Sequence, residues 1–283
     1  MSDHFEAAAK EARDERPLAL EAYKGMIRPA YDDPLFLQAL KQPEELWKHP
    51  GATMLLGRGN RVGIISFPFS GGTVKDIVVK EFSSRGVNKL KSLFLPSKAA
   101  KAWRGALALK QRGLETASPV AYFEKRKAGF VERNFFLAER IDGAMEIREL
   151  FRRLSLAELE PLLASLAGFI YRCHQRGILH RDLSDGNVLV KREEGGNFVF
   201  YLLDTDRVRV RRKISGLARV KNLIRLGIPP LLQKPFLKSY FDEKPLEASF
   251  WRWYKMNKAI YTGYVELKRK LRLRQIARKL GVQ

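Results

Sequence analysis

His180-Arg181-Asp182-Leu183-Ser184-Asp185-Gly186-Asn187 runs directly into Val188-Leu189-Val190. No other stretch constrains the chain as much. It puts one carboxylate, Asp182, and one side-chain amide, Asn187, five positions apart on a single connection. Apolar Ile178-Leu179 leads in and a β-branched run leads out, so both ends read as buried extended segments around a polar middle. A loop anchored at both ends can hold a carboxylate against a hydroxyl and an amide oxygen against a cation beside it. His180 and Arg181 read as supports of this loop rather than as reacting groups.

The residues before the loop predict a long helix. Ser155-Leu156-Ala157-Glu158 is a capping box. Leu156, Leu159, Leu163, Leu166, Ile170 and Cys173 then follow at spacings of 3, 4, 3, 4 and 3, one apolar stripe that Gly177 terminates. Cys173 on that stripe reads as a core residue, not a nucleophile. After the loop, a turn at Glu193 to Asn197 separates Val188-Leu189-Val190 from a second strand, Phe198 to Leu203. That strand ends at Asp204-Thr205-Asp206-Arg207. An acid closing the strand after such a loop resembles the metal-chelating Asp of protein kinases, which implies Asp204 as the ligand and Asp206 as the competing assignment.

Residues 1–50 read as an N-terminal extension, partly helical or disordered. Phe5 to Arg16 has an Ala-rich helical composition, and Pro17, Pro29, Pro34, Pro43 and Pro50 punctuate the rest. Met54 to Phe67 reads as strand, turn, strand, with Gly57 and Gly59 in the turn. Gly71-Gly72 opens a further strand, Asp76 to Phe82, that carries Lys80. Ser97 to Arg112 reads as a helix ended by Gly113, and it holds no Glu. Ser118 to Glu124 and Phe135 to Ile141 read as two more strands, the second broken by Asp142-Gly143.

The net charge of +22 is distributed unevenly. Residues 207–283 hold 21 Lys/Arg against 4 Asp/Glu, which is +17 of the total. A field of that size attracts a polyanion: nucleic acid, an anionic lipid surface or a phosphorylated glycolipid. Leu217, Val220 and Ile224 mark a helix with Arg219, Lys221 and Arg225 on its other faces. Glu266 to Leu280 reads as a terminal helix with Leu267, Leu271, Ile276 and Leu280 among seven Lys/Arg. With the aromatics between Phe236 and Tyr254, such a helix suits an anionic membrane interface; its alternative is packing on the domain. A single cysteine excludes an intrachain disulfide and suits a reducing compartment. Four histidines and one cysteine do not supply a structural zinc cluster. No apolar run reaches the ~18 residues of a membrane span, and the acid-containing N-terminus does not read as a signal peptide.

His180 to Asn187 resembles the catalytic loop of the protein-kinase-like fold. Four stretches together resemble the bacterial lipopolysaccharide kinase family: Ser97-Lys98-Ala99-Ala100-Lys101-Ala102-Trp103-Arg104, Gly113 to Pro119, His180 to Asn187, and Leu203-Asp204-Thr205-Asp206-Arg207. The resemblance implies an α+β, two-lobed protein-kinase-like fold with a small β-rich N-lobe (51–141) and a larger helical C-lobe (142–283). It implies transfer of phosphate from ATP, with Mg²⁺, to a heptose or Kdo (3-deoxy-manno-octulosonic acid) hydroxyl of the lipopolysaccharide core. The setting it implies is cytoplasmic and peripheral to the inner membrane. In this reading Asp182 is the catalytic residue, and Asn187 and Asp204 hold the metal. Lys80, Gly57, Gly59, Glu139 and Ile141 bind the nucleotide. Partners are the core glycolipid and an anionic membrane surface, with no specific nucleic acid. Two departures follow from the residues: Ala102 stands where the family has an acid beside the helical Trp, leaving the partner of Lys80 open. Ser184 stands where serine/threonine kinases carry a phosphate-contacting Lys, so a basic residue from elsewhere is expected in its place. The alternatives are a kinase for a protein or small metabolite and a non-catalytic chain that binds an anionic surface.

Overall fold

The computed structural model describes residues 14–56, 60–84, 86–241 and 248–271. The described chain divides into two compact units. One holds residues 14–113 and 117–142; the other holds 114–116 and 143–271.

The first unit is built on one antiparallel sheet. Its strands are β1 (Arg16–Leu20), β2 (Tyr23–Ile27), β3 (Ala52–Leu56), β4 (Arg61–Pro68), β5 (Val74–Phe82), β6 (Pro119–Lys127) and β7 (Phe130–Glu139), in the order β1-β2-β6-β7-β5-β4-β3. The period-2 alternation of the strands sends side chains to two different cores. On one face, Ile77 and Val79 of β5 and Phe135 and Leu137 of β7 join Phe36, Leu40, Phe67 and Phe123. On the other, Phe82, Phe136 and Ala138 pack against Ala99, Ala102, Trp103 and Ala106. These last four lie on α3 (Lys98–Lys110), which follows α1 (Pro34–Leu40) and α2 (Val87–Lys91). Ser97 caps α3 by accepting from Ala100 N at 3.0 Å. Buried Asn134 joins the helix start to the sheet. Its Oδ1 accepts from Ala99 N (3.0 Å), and its Nδ2 donates to Phe82 O (3.2 Å) and Ser84 Oγ (3.1 Å).

The sequence reading has no strand before residue 50, yet β1 and β2 extend the sheet and α1 covers its face. Five-residue strands of mixed composition, one carrying Pro17, give little period-2 signal, and an edge position tolerates that proline. Gly25 has a contact reason: a Cβ there would come within 1.8 Å of Tyr122 O. The expected helix at Phe5 to Arg16 lies almost wholly outside the described residues.

The second unit contains α4 (Ile147–Arg153), α5 (Leu156–Gln175), α6 (Gly216–Leu223), α7 (Gln233–Tyr240) and α8 (Ala248–Lys270). Two small sheets accompany them. One is β8 (Met145–Glu146), β10 (Val188–Arg192) and β11 (Phe198–Leu202); the other pairs β9 (Ile178–His180) with β12 (Val208–Val210). The capping box of α5 forms as expected: Ser155 Oγ accepts from Glu158 N, and Glu158 Oε2 accepts from Ser155 N (2.9 Å). Leu159, Leu163, Leu166, Ile170 and Cys173 are buried, whereas Leu156 at the helix start is exposed. Burial pushes the Cys173 thiol up to about 12, which fits a core residue. Gly177 ends α5 in the left-handed region (φ 72°), and a Cβ there would meet Arg211 O at 2.1 Å. That close approach lets β12 lie against β9.

The terminal basic helix begins earlier than the sequence suggests, at Ala248, and residues from 272 on lie outside the described chain. The aromatics before it serve packing. Phe236, Tyr240 and Tyr254 are buried, and Phe241 stacks on Phe250 with centroids 4.9 Å apart. Among the described residues no helix is long and apolar enough to cross a membrane.

Candidate active site

The connection after β9 is held at several backbone points. Val208 pairs with His180 across the two-stranded sheet, and Arg181 N donates to Arg207 O at 3.0 Å. Leu183, almost fully buried, anchors the middle, and its amide donates to His180 O. Asn187 N donates to Ser184 O (3.0 Å), forming the short turn into β10. Asn187 Nδ2 donates to Asp182 O at 2.8 Å. This use of the amide nitrogen leaves the Asn187 side-chain oxygen as the acceptor available to a cation.

The hairpin of β10 and β11 brings the second acid to this place. Val188 pairs with Leu202, and Leu203 N donates to Asn187 O (2.9 Å), so Asp204 follows directly beside Asn187. Asp204 is in the left-handed region, φ 49° and ψ 51°. For a residue with a side chain this costs roughly 1 kcal/mol, and such strain gathers where a site needs it. His180 holds the strained turn. Its Nε2–H donates to Leu203 O (2.9 Å) and Asp204 O (3.2 Å). Burial pushes the His180 imidazole down, against the upward pull of those carbonyls and of Asp204 and Asp182. His180 therefore clamps the turn through its Nε2–H. Asp206, the competing acid, is buried and lies 3.4 Å from Arg207 Nε. Asp204 is the more exposed of the two.

A buried polar relay with no clear sequence signal stands behind the loop. Tyr240 OH donates to His174 Nδ1 (2.6 Å), and His174 Nε2–H donates to Asn222 Oδ1 (3.0 Å). Asn222 Nδ2 then donates to His180 O (2.8 Å). The direction follows from the last acceptor, a carbonyl, which fixes the Asn222 orientation and hence the His174 tautomer. Desolvation lowers the His174 pKa to about 4, so it is neutral near pH 7. Thr116 adds a tether, donating from Oγ1 to Leu202 O at 2.7 Å. Thr116 thus lies against the residue two before Asp204.

The nucleotide-binding candidates belong to the other unit. Lys80 lies on β5 opposite Phe136 and shares the α3-facing side of the sheet with Phe82. α3 carries no acid along its length. A carboxylate that does reach it is Glu15, whose Oε2 accepts from Trp103 Nε1 at 2.8 Å. Glu139 ends β7, its carboxylate accepting from Tyr31 OH and its amide donating to Ser118 O. Arg140 N donates to Asp76 O, and Arg140 Nη1 pairs with Asp76 Oδ2 (2.8 Å). Ser66 and then Arg140 hold the Asp76 carboxyl below its ordinary value. Ile141 follows, half-buried, and the first unit ends at Asp142. Gly57 and Gly59 lie outside the described residues.

Asp204 and Asn187 carry hard oxygen donors. Among the described residues no three His, Cys, Asp or Glu side chains converge as a cage. A carboxylate and an amide oxygen, from Asp204 and Asn187, would suit Mg²⁺, which retains waters and takes its other oxygens from phosphates.

What makes the chain a phosphotransferase is its match to a kinase family. The fold is similar to that of a solved structure described as WaaP in complex with acyl carrier protein. The TM-score is 0.55 at 20% sequence identity, covering 86% of this chain and 98% of that one. The model of the Lipopolysaccharide kinase (Kdo/WaaP) family matches residues 78–235, more than half of the chain, and the chain belongs to that family. The match includes Lys80, Asp182, Asn187 and Asp204 and stops short of α8. No curated protein matches the chain in sequence.

Proposed function

We propose that the protein transfers the γ-phosphoryl group of ATP, with Mg²⁺, to a heptose or Kdo hydroxyl of the lipopolysaccharide inner core, at the cytoplasmic face of the inner membrane. The observation that carries this reading is the meeting of Asp182, Asn187 and Asp204 on two backbone-locked turns, within a lipopolysaccharide kinase family member. Asp182 orients the acceptor hydroxyl and takes its proton. Asn187 and Asp204 hold the metal, which when bound offsets charge on the transferring group. His180 fixes the Asp204 turn, and Arg181 supports the loop through its backbone. Lys80 binds the α- and β-phosphates, aided by Gly57 and Gly59, and Glu139 to Ile141 present backbone to adenine. The two compact units are then the β-rich and helical lobes of the fold.

The basic side of the second unit suits an anionic acceptor. Arg209 lies on β12 with Arg207 just before it and Arg211 just after, and Arg181 adjoins them through its bond to Arg207 O. Burial first, and then the neighbouring Arg181, push the Arg209 guanidinium below its ordinary value, a site where added negative charge is favoured. On α8, Met256, Ile260, Tyr264 and Leu267 are exposed at helical spacing, with Leu271 just past its end and Arg252, Lys268 and Lys270 around them. This stripe supports contact with an anionic membrane surface. Because its relative WaaP is solved with acyl carrier protein, a carrier-protein partner is proposed for this chain as well.

The test is ³²P transfer from Mg-ATP to purified lipopolysaccharide core. Wild type should label the sugar, and Asp182→Ala should reduce the rate by ~10³-fold. Undiminished transfer in the variant, or no transfer and no nucleotide binding by wild type, would overturn the reading.

A further inference from the structure

Resting on the function proposed above, the geometry points to Arg225 as the cation that the catalytic loop omits: a positioning residue that grips Asp182 and is itself held by Lys258 and Tyr261 of α8. Arg225 Nη2 lies 2.6 Å from Asp182 Oδ1. The loop has Ser184 two residues after Asp182, where a Lys would otherwise supply positive charge. Arg225 approaches from the segment after α6 and fills that electrostatic role from another part of the chain. Holding one carboxylate oxygen leaves the other, on a side chain still partly exposed, for the acceptor hydroxyl.

The segment bearing Arg225 is clamped on both sides. Lys258 Nζ donates to Ile224 O (2.6 Å) and Leu226 O (3.0 Å), the carbonyls flanking Arg225. The Arg225 guanidinium carbon lies 5.5 Å from the centre of the Tyr261 ring. Leu226 is fully buried, and Gly227 sits so close to Asp185 that a Cβ would meet Asp185 Oδ2 at 2.4 Å. Asp185 in turn is held by Arg148 Nη2 at 3.0 Å. The loop and the 224–227 segment therefore interlock at two acids, Asp182 and Asp185. Burial of Lys258 pushes its ammonium down, and the charge of Asp185 pulls it back up. That Lys is thus spent on the interior rather than on solvent. The consequence is specific: α8, which lies beyond the stretch matched by the family model, sets the position of the proposed catalytic carboxylate.

The experiment compares Arg225→Ala, Arg225→Lys, Lys258→Met and the double variant Ser184→Lys/Arg225→Ala in the full chain. Phosphoryl transfer to core sugar is measured together with KM for ATP and the thermal midpoint. Arg225→Ala should lose ~10²-fold in kcat with KM for ATP within about twofold, the loss expected for a misplaced reacting group. Arg225→Lys should recover part of this loss. Lys258→Met should fall in the same direction by ~10-fold. Moving the cation back into the loop with Ser184→Lys should restore ~10-fold over Arg225→Ala alone. Unchanged kcat in Arg225→Ala, or equal losses in Arg225→Ala and the double variant, overturns the assignment. If wild type transfers no phosphate to any core sugar, the functional reading fails separately. The Arg225→Ala and Asp182→Ala pair then decides by urea midpoints: a double variant shifted by less than the sum of the two supports the coupling, and additive shifts overturn it.

Discussion

The two compact units hold their candidate residues by different means. In the first, Lys80 rides on a β-strand whose neighbours are set by apolar packing on both faces of a seven-stranded sheet. In the second, Asp182, Asn187 and Asp204 sit on turns fixed by buried hydrogen bonds, with His180, His174 and Asn222 behind them. The difference follows from what each position must do. A strand lysine needs only the right face and register, which alternation supplies. Two acids and an amide beside one another need backbone placed against its own preference at Asp204. Polar clamps aimed at particular carbonyls achieve that.

The comparison can be broken most severely from the apolar side. Phe123 is fully buried between the sheet and its cover, with Phe135 stacked at 5.2 Å and Tyr23 edge-on at 5.6 Å. Phe123→Ala should cost about 4 kcal/mol in urea unfolding. A loss below ~1 kcal/mol would mean that this face is not the core of the sheet unit.

The polar side breaks with pH. The unfolded chain protonates His174 near the ordinary value of about 6.5, whereas the folded protein resists protonation down to about 4. The depressed folded pKa means the unfolded state binds the proton first as pH falls. This contribution is complete above about pH 6.5 and drains away towards pH 4. At ~1.4 kcal/mol per pH unit it amounts to roughly 3 kcal/mol. Wild type compared with His174→Gln by urea unfolding at several pH values measures it. Equal slopes between pH 6.5 and 4.5 in the two proteins would sink the claim that His174 is buried neutral in the relay.

The smallest effect sharpens the comparison at the edge of the sheet unit. Trp103→Phe keeps the ring in the α3 core but removes the donor to Glu15. It should cost about 1 kcal/mol. In a double-mutant cycle with Glu15→Gln the two losses should overlap; independent losses would show that the hydrogen bond contributes nothing.

Much of the second unit was legible in the residues. The Ser155–Glu158 capping box, the apolar stripe from Leu159 to Cys173 and the stop at Gly177 are local features, and local features are written in neighbouring positions. The loop from His180 to Asn187 and the strand leading to Asp204 are legible for the same reason. Arg225, Asn222 and His174 carry no such mark. Each is an ordinary polar residue on a helix or helix end, and its partner lies 43, 42 or 66 positions away. The β1–β2 hairpin was missed because edge strands of five residues need little hydrophobic pattern to pair.

By itself, the sequence determined the periodic elements, the spacing of Asp182 and Asn187 on one connection, and the concentration of positive charge after Arg207. These depend on residues close in the chain and on composition. Only the tertiary structure decided that the residues before Ala52 belong to the sheet and that Asp204 lies beside Asn187 in a left-handed turn clamped by His180. It also decided that the cation on Asp182 is Arg225. These outcomes come from burial and hydrogen-bond satisfaction between distant segments. A buried donor takes whichever acceptor the fold brings within reach, and one residue's identity does not name that partner.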